Sequence, residues 1–223
     1  MSLDEVYSRL LFLINKAQGG WYSPEELDDI VDSAQMTLFN RYYIEYATSQ
    51  RLIDALGPFK TQVSGTTGSN GLISIGSQYM DLLALYTLVQ DPDNVTRAKP
   101  VPIIKEDELA FRLSSQISPP TISAPVARLL AGNIIQLYPQ VAHTHITMYL
   151  RRPAAPHFGY TLVSGRVIVY DPLTSTQLEW SDKDIKSIIL IALEELGLNL
   201  SEAETVQWAA SKDAQNFNSN MKE

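Results

Sequence analysis

The chain has 223 residues, 45% of them apolar, which suffices for a hydrophobic core and excludes wholesale disorder. Its 17 basic and 25 acidic residues leave a formal charge of −8, which argues against non-specific binding to nucleic acid or anionic membranes. Cysteine is absent, so disulfides, thiolate catalysis and cysteine-ligated metal centres are excluded. We see neither a signal-peptide pattern nor the ~20 apolar residues of a transmembrane helix. We therefore expect a cytosolic protein without a membrane partner.

Two antiparallel helices joined by a short turn are predicted at the N-terminal end of the chain. Ser2 and Glu5 have the spacing of a capping box, and apolar residues then recur at helical intervals. Ser23 is a predicted N-cap, because Pro24 occupies the first helical position and acidic residues fill the first turn. Residues 57–58, a Gly-Pro pair, are expected to close this unit.

Short apolar runs between turn residues predict strands in the middle of the chain. Residues 61–71 are small and polar, which is typical of a mobile loop. Single strands are predicted over residues 80–90, 101–104 and 141–150, and a short helix over residues 105–113. Hairpins with glycine-containing turns are predicted to pair residues 127–131 with 134–138 and residues 160–163 with 167–170.

Helices are predicted again at the C-terminal end. Ser181 begins one whose apolar spacing ends at Gly197, and Ser201 with Glu204 begins a second. This order predicts an α+β fold with an N-terminal helical hairpin, a central, mainly antiparallel β region and C-terminal helices. We expect the units to cover residues 1–60, 61–180 and 181–223, either separately or as one compact domain.

His143 and His145 are the strongest candidates for a chemical site. They alternate on the predicted strand over residues 141–150, so both imidazoles fall on one strand face. A zinc site needs three or four ligands, and only His157 remains among the histidines. The alternative is a strand with two solvent-facing histidines. We therefore predict no metal, cofactor or catalytic residue, and a hydrolase or metal enzyme built on His143 and His145 remains the competing hypothesis.

The other polar motifs point to surface or structural roles. The sequence has neither a Gly-x-Ser-x-Gly elbow nor a P-loop. Acidic pairs at residues 25–26, 28–29 and 194–195 fall on helix faces that we expect to be solvated. Tyr42, Tyr43 and Tyr46 follow the second helix and are candidates for core residues, a cap over the core, or anchors of an interface.

Both ends of the chain resemble a known family. Residues 11–27 run Leu-Phe-Leu-Ile-Asn-Lys-Ala-Gln-Gly-Gly-Trp-Tyr-Ser-Pro-Glu-Glu-Leu, and Ala34-Gln35 and Leu38-Phe39 follow. Residues 153–165 run Pro-Ala-Ala-Pro-His-Phe-Gly-Tyr-Thr-Leu-Val-Ser-Gly, followed by Tyr170-Asp-Pro, Leu178-Glu-Trp-Ser and a helix ending Leu196-Gly-Leu-Asn-Leu. These stretches resemble virion structural proteins, head–tail connector or tail-ring proteins, of crAss-like and related tailed bacteriophages infecting Bacteroidetes.

The resemblance implies a homomeric ring, commonly of twelve copies, in the neck below the portal. Such a ring joins head to tail and guides genome passage. Its implied partners are copies of itself, the portal and other neck or tail-ring proteins, in a virion assembled in the host cytoplasm. DNA would only pass through, and twelve copies would carry roughly −100 formal charges that repel phosphate. The alternative is a capsid-assembly adaptor or chaperone that is absent from the mature virion.

Overall fold

A computed structural model describes residues 1–16, 20–46, 49–90, 93–163 and 167–197. The described residues form an α+β fold of five α-helices, one 3₁₀ turn and nine strands. The helices are α1 (Leu3–Lys16), α2 (Pro24–Ile44), α3 (Gln50–Ala55), α4 (Glu106–Ser114) and α5 (Asp182–Glu195), with the 3₁₀ turn at Gly57–Phe59. The strands are β1 (Lys60–Thr66), β2 (Leu72–Ser74), β3 (Tyr79–Gln90), β4 (Thr96–Pro100), β5 (Val126–Leu130), β6 (Ile134–Tyr138), β7 (Thr144–Arg151), β8 (Tyr160–Val163) and β9 (Val167–Tyr170).

The α+β prediction is confirmed, and the elements divide between two compact units. One unit, the helical unit, combines residues 1–58 with the chain from residue 153 onward. The other, the sheet unit, is the continuous segment of residues 59–152. Residues 153–180, which the sequence placed with the central β region, belong to the helical unit and carry its hairpin β8–β9.

The helical unit is built on α1, α2 and α5. Its helix starts agree with the predicted caps, since the side chains of Ser2 and Glu5 each accept a hydrogen bond from the other residue's backbone N–H. Ser23 and Glu26 form the same reciprocal pair at the start of α2. Helix α5 packs against both α1 and α2 and buries its apolar face there. Helices α1 and α2 therefore pack with α5, which follows the sheet unit in the sequence.

The sheet unit contains two antiparallel sheets around a common core. One sheet has the strand order β1-β7-β3-β4 and the other β2-β6-β5. The shared core contains buried aliphatic and aromatic side chains from both sheets, namely Ile73, Ile75, Leu85, Val101, Ala127, Ile135, Leu137 and Tyr149. Helix α4 adds a second cluster, because Leu109 packs with Val126 and Tyr138.

Two local predictions in this unit are wrong. Residues 61–71 are not a loop throughout, because β1 pairs with β7 from Lys60 to Thr66. Most β1 side chains are exposed. The strand therefore forms through backbone pairing with β7, without the alternation of apolar and polar residues that predicts a strand from sequence. Residues 101–104 are no regular strand, because only Ile103 bridges to Ala127, and prolines at 100 and 102 remove the N–H donors of a ladder.

Both predicted hairpins, the predicted helix α4 and the predicted strand β3 are confirmed. Hairpin β5–β6 turns through Gly132 and Asn133, which have φ angles of 76° and 57°. Only glycine and a few polar residues adopt that region readily, so the turn signal in the sequence was physically specific. Helix α5 is confirmed with Ser181 as its N-cap. The turn of β8–β9 at residues 164–166 and the helix predicted from residue 201 lie outside the described residues.

Candidate functional site

His143 and His145 are buried, which corrects the prediction that they face solvent. His145 lies on the inner face of β7, and His143 is buried just before the strand begins. A ring nitrogen of His143 lies 2.9 Å from the carbonyl oxygen of Pro139, and Nδ1 of His145 lies 3.1 Å from Oγ1 of Thr147. His145 shares its face of β7 with Thr147 and Tyr149, and Tyr149 belongs to the core between the two sheets, so these polar residues are covered although their type suggests a surface.

No group of three or more potential metal ligands occurs among the described residues. Burial lowers the pKa of His145. The third histidine, His157, belongs to the helical unit, where its Nδ1 lies 3.0 Å from Asp28. Each of the three histidines thus has a hydrogen-bond partner within its own unit.

Asp28 is a hydrogen-bonding centre that the sequence did not reveal. Its carboxylate is 13% exposed and accepts hydrogen bonds from the Tyr7 hydroxyl and from the Phe158 backbone N–H at 2.9 Å. The rings of Tyr7 and Phe158 stack with centroids 4.6 Å apart. Burial, together with the bond to Asp28, raises the pKa of Tyr7. Helix α2 therefore fixes the chain just before β8, although we expected Asp28 to be solvated.

The base of hairpin β8–β9 is attached to the helical unit at further points. The Tyr160 hydroxyl donates to Glu25 at 2.8 Å, and this bond lowers the pKa of Glu25 and raises that of Tyr160. The ring of Tyr170 lies 4.9 Å from that of Phe158, measured between centroids. The first residue pair of the hairpin, Tyr160 with Tyr170, is thereby held in place.

Beyond that pair, the hairpin is apolar and exposed on both faces. Leu162 pairs with Ile168 on one face, while Val163 and Val169 lie on the other. Leu162 is 57% exposed, and the other three side chains are also exposed. Among the described residues, β8 and β9 pair only with each other. We call these four residues the hairpin tip.

A groove in the sheet unit follows an edge of β3 that has no strand beside it. Strand β7 pairs with β3 over residues 79–87, but β4 pairs only with residues 86–90 on the other side. Along residues 79–84, that side has no strand partner among the described residues. The adjoining groove has a volume of about 350 Å³, and its rim includes the half-exposed side chains of Ile103 and Leu129. We call this feature the β3 groove.

Tyr42 and Tyr43 lie in the last turn of α2 and Tyr46 follows it, and their roles differ. The Tyr42 hydroxyl donates a hydrogen bond to Asp184 at 2.8 Å. The pKa of Tyr42 is raised to about 12, mainly by burial and secondly by this hydrogen bond. Its ring lies edge-on to Trp180, whose Nε1 donates to Gln35 at 3.2 Å. Tyr42 therefore helps to join α2 to α5 within the helical unit. Tyr43 and Tyr46 are half-buried.

Large apolar side chains outside the hairpin tip are also exposed in both units. The segment that includes and follows α4 presents Phe111 and Ile117, and the helical unit presents Trp21, Ile44 and Leu173. Exposed apolar side chains that form a contiguous patch commonly mark a protein–protein interface, whereas single ones are ordinary on a protein surface. The numbers of charged residues also differ between the two parts of the sequence. Residues 59–152 carry eight basic and six acidic residues, whereas the rest of the chain carries nine and nineteen.

Neither a comparison with models of known families nor a comparison with curated proteins finds a match to this sequence. No helix among the described residues has the length and apolar content to span a membrane. The candidate functional sites are surfaces suited to contact with protein, namely the hairpin tip, the β3 groove and the exposed side chains near α4.

Proposed function

We propose that this protein is a structural subunit of a tailed-phage virion, forming a homomeric ring in the head–tail connector below the portal. The observation that carries the proposal is the exposure of apolar side chains in both units, with the hairpin tip as the clearest case. Burial of apolar surface is the main favourable term in protein association. A subunit that must contact two neighbours needs such surface in more than one place.

The resemblance at both ends of the sequence supports the same function. The two resembling stretches supply α2, hairpin β8–β9 and α5, which belong to one unit. In that unit, the backbone N–H of Phe158 in the second stretch donates to Asp28, the residue that directly follows the first stretch. The stretches that resemble connector proteins thus build the frame that presents the hairpin tip.

Genome passage gives the acidity of the chain a role. A ring of such subunits would carry a large negative charge, and a lumen lined by carboxylates repels DNA phosphates, so the genome would slide without specific binding. The excess of acidic residues lies in the helical unit's part of the sequence. A ring structure with a basic lumen would contradict this role while leaving the connector proposal intact.

The oligomeric state of the purified chain tests the proposal directly. Sedimentation velocity and negative-stain electron microscopy should show closed rings, alone or with neck partners. Quantitative mass spectrometry of purified virions should find the chain at a fixed copy number. The ring would be overturned if the chain remained monomeric both alone and in the presence of its neck partners. A chain absent from mature virions would instead identify the assembly adaptor or chaperone.

The competing enzyme hypothesis has a separate test. His143 and His145 bond to protein atoms within the sheet unit, so we expect the purified protein to bind less than one equivalent of zinc after metal addition and dialysis. Stoichiometric zinc that is lost in His145→Asn would contradict the structural role and restore the metal-enzyme hypothesis.

A further inference from the structure

Strand β1 is an edge strand without the features that usually protect one. It pairs with β7 on one side, and on its other side it has no strand partner among the described residues. Natural sheet edges commonly contain charged residues, prolines or bulges, because free backbone groups otherwise pair with another strand. The opposite edge of the same sheet, β4, contains Arg97, Lys99 and Pro100. Residues 61–66 contain neither a charge nor a proline, so this edge is open to pairing.

The free side of β1 presents the backbone groups of alternate residues. Thr67, directly after the strand, donates its N–H to the carbonyl oxygen of His143, directly before β7. In an antiparallel ladder the N–H and C=O of one residue point to the same side, and that side alternates along the strand. The odd-numbered residues of β1 therefore bond to β7, and the outward-facing backbone groups belong to Gln62, Ser64 and Thr66.

One face of β1 has an exposed apolar side chain close to a residue that has none. Val63 pairs with Thr147 and Gly65 with His145, and residues directly opposite each other share one face of the sheet. Val63 is 37% exposed, although Thr147 is buried. A β-carbon at Gly65 would lie 3.5 Å from Nε2 of His145. An apolar side chain from an added strand would therefore fit over Gly65 and beside His145.

We infer that two copies of this chain pair through β1 as antiparallel strands, related by a two-fold axis at Ser64, so that their four-stranded sheets become continuous. In this register the outward-facing residues pair with one another, because Gln62 lies opposite Thr66 of the other copy. Val63 then lies opposite Gly65 of the other copy, in a pair without mutual backbone bonds, where side chains approach most closely. Each Val63 thus covers the other copy's Gly65.

The composition of the edge favours a second copy as the occupant. In a two-fold contact each residue meets itself or a near neighbour, so any charge would meet a like charge. Residues 61–71 carry no charge at all. The apolar Val63 meets the one residue that leaves room for it, and the polar Gln62 meets a polar residue. The strand is therefore complementary to itself on both faces.

This contact goes beyond the proposed ring and does not depend on it. A two-fold contact uses the same surface on both copies and closes after two, whereas a ring repeats a contact between different surfaces. The pair is therefore a dimer of the free chain. Because one short strand on each side buries little area, we expect a weak dimer, with a dissociation constant of about 1 μM or higher.

The absence of cysteine from the sequence allows a test of the register. Gln62→Cys and Thr66→Cys proteins with tags of different mass are mixed and oxidised with copper–phenanthroline. Opposite positions bring two Cα atoms within the ~4.4–6.8 Å of a disulfide, whereas two copies of residue 62 would lie roughly 13 Å apart along the strand. We expect at least about tenfold more mixed dimer than either homodimer. Equal yields of the three would overturn the inference.

The axis itself has a separate test. Ser64 lies opposite its own copy, so Ser64→Cys should form a disulfide-linked homodimer by itself, and Gln62→Cys alone should not. If this edge instead takes a strand from another protein or another part of the chain, Ser64→Cys will not link to itself, and that result would overturn the two-fold contact.

A charge at the axis connects the inference to association in solution. Sedimentation velocity at high protein concentration should show dimerisation of the unmodified protein. Ser64→Lys should abolish it, because two like charges then meet, whereas Ser118→Lys, at an exposed position outside β1, should not. Circular dichroism should show both variants folded. Monomers of the unmodified protein, with equal cross-linking in all mixtures, would overturn the inference.

The same variants separate this dimer from the proposed ring. Loss of the dimer in Ser64→Lys while rings persist would support both. Dimers of the unmodified protein that never form rings, alone or with neck partners, would support this contact and remove the ring. Rings that disappear in Ser64→Lys, with no self-linking of Ser64→Cys, would place β1 in the ring and overturn the two-fold dimer.

Discussion

Hairpin β5–β6 is covered on its inner face by the core of the sheet unit, whereas hairpin β8–β9 is covered only at its base. In the first hairpin, Ala127, Ile135 and Leu137 are fully buried. In the second, Leu162 and Ile168 are exposed although they are just as apolar. The two hairpins have the same sequence signal, namely short apolar runs around a glycine-containing turn. They differ in what lies against them.

This difference bears on how each hairpin is stabilised. The strands of β5–β6 belong to a three-stranded sheet with a core behind it, so its apolar residues contribute to the stability of one chain. The tip of β8–β9 contributes little to that stability while the chain is alone. We therefore expect substitutions in the first hairpin to affect folding and substitutions in the second to affect association.

The largest expected effect is the loss of a core side chain from β6. Ile135→Ala removes a fully buried side chain and leaves a cavity, so the free energy of unfolding should fall by about 3 kcal/mol. Leu162→Ala in β8 should change it by less than about 0.5 kcal/mol, because the side chain is exposed. Urea titration of the two variants at a concentration where the chain is monomeric measures both. Equal losses would contradict the comparison.

Sequence reasoning predicted the features that depend on neighbouring residues. The Ser2–Glu5 capping box and the Gly132-Asn133 turn involve atoms a few positions apart, so residue type and spacing specify them. The same holds for Ser181 at the start of α5. Such contacts form wherever the local chain adopts its preferred conformation.

The rest depends on contacts between distant segments. Asp28 bonds to Phe158, 130 positions away, and nothing around residue 28 distinguishes it from the exposed acids beside it. His143 and His145 were expected at the surface because of their polarity, but both are buried, and His145 lies on the face of β7 that packs on the core of the sheet unit. The β3 groove is formed by three separate segments, so no single stretch of sequence could reveal it.

The next effect concerns the base of β8–β9. Asp28→Ala removes the acceptor for Tyr7, His157 and the Phe158 backbone, so unfolding free energy should fall by about 2 kcal/mol. Amide exchange should accelerate in β8 and β9 and change little in β5 and β6. Asp29→Ala, at the exposed neighbouring position, is the matched control. Unchanged exchange in β8 would show that the base is held without Asp28.

Acidification should affect the sheet unit through His145. Burial puts its pKa in the folded chain below the unfolded value of about 6.5, so the unfolded chain binds more protons as pH falls. Stability should therefore fall from pH 7 to pH 5, by at most about 2 kcal/mol from this residue. Urea titrations at several pH values should give a smaller slope for His145→Asn. An unchanged slope would assign the effect to other groups.

The smallest effect is a gain in the sheet unit. Oγ1 of Thr87 is buried and has no hydrogen-bond partner among the described residues. Thr87→Val keeps the side-chain shape and removes the unsatisfied hydroxyl, so it should raise the free energy of unfolding by about 1 kcal/mol. Thr147→Val is the control, because its hydroxyl bonds to His145 and its loss should destabilise the chain. Slower amide exchange confined to the sheet unit would place the gain in that unit, and a loss of stability would mean that the Thr87 hydroxyl is satisfied.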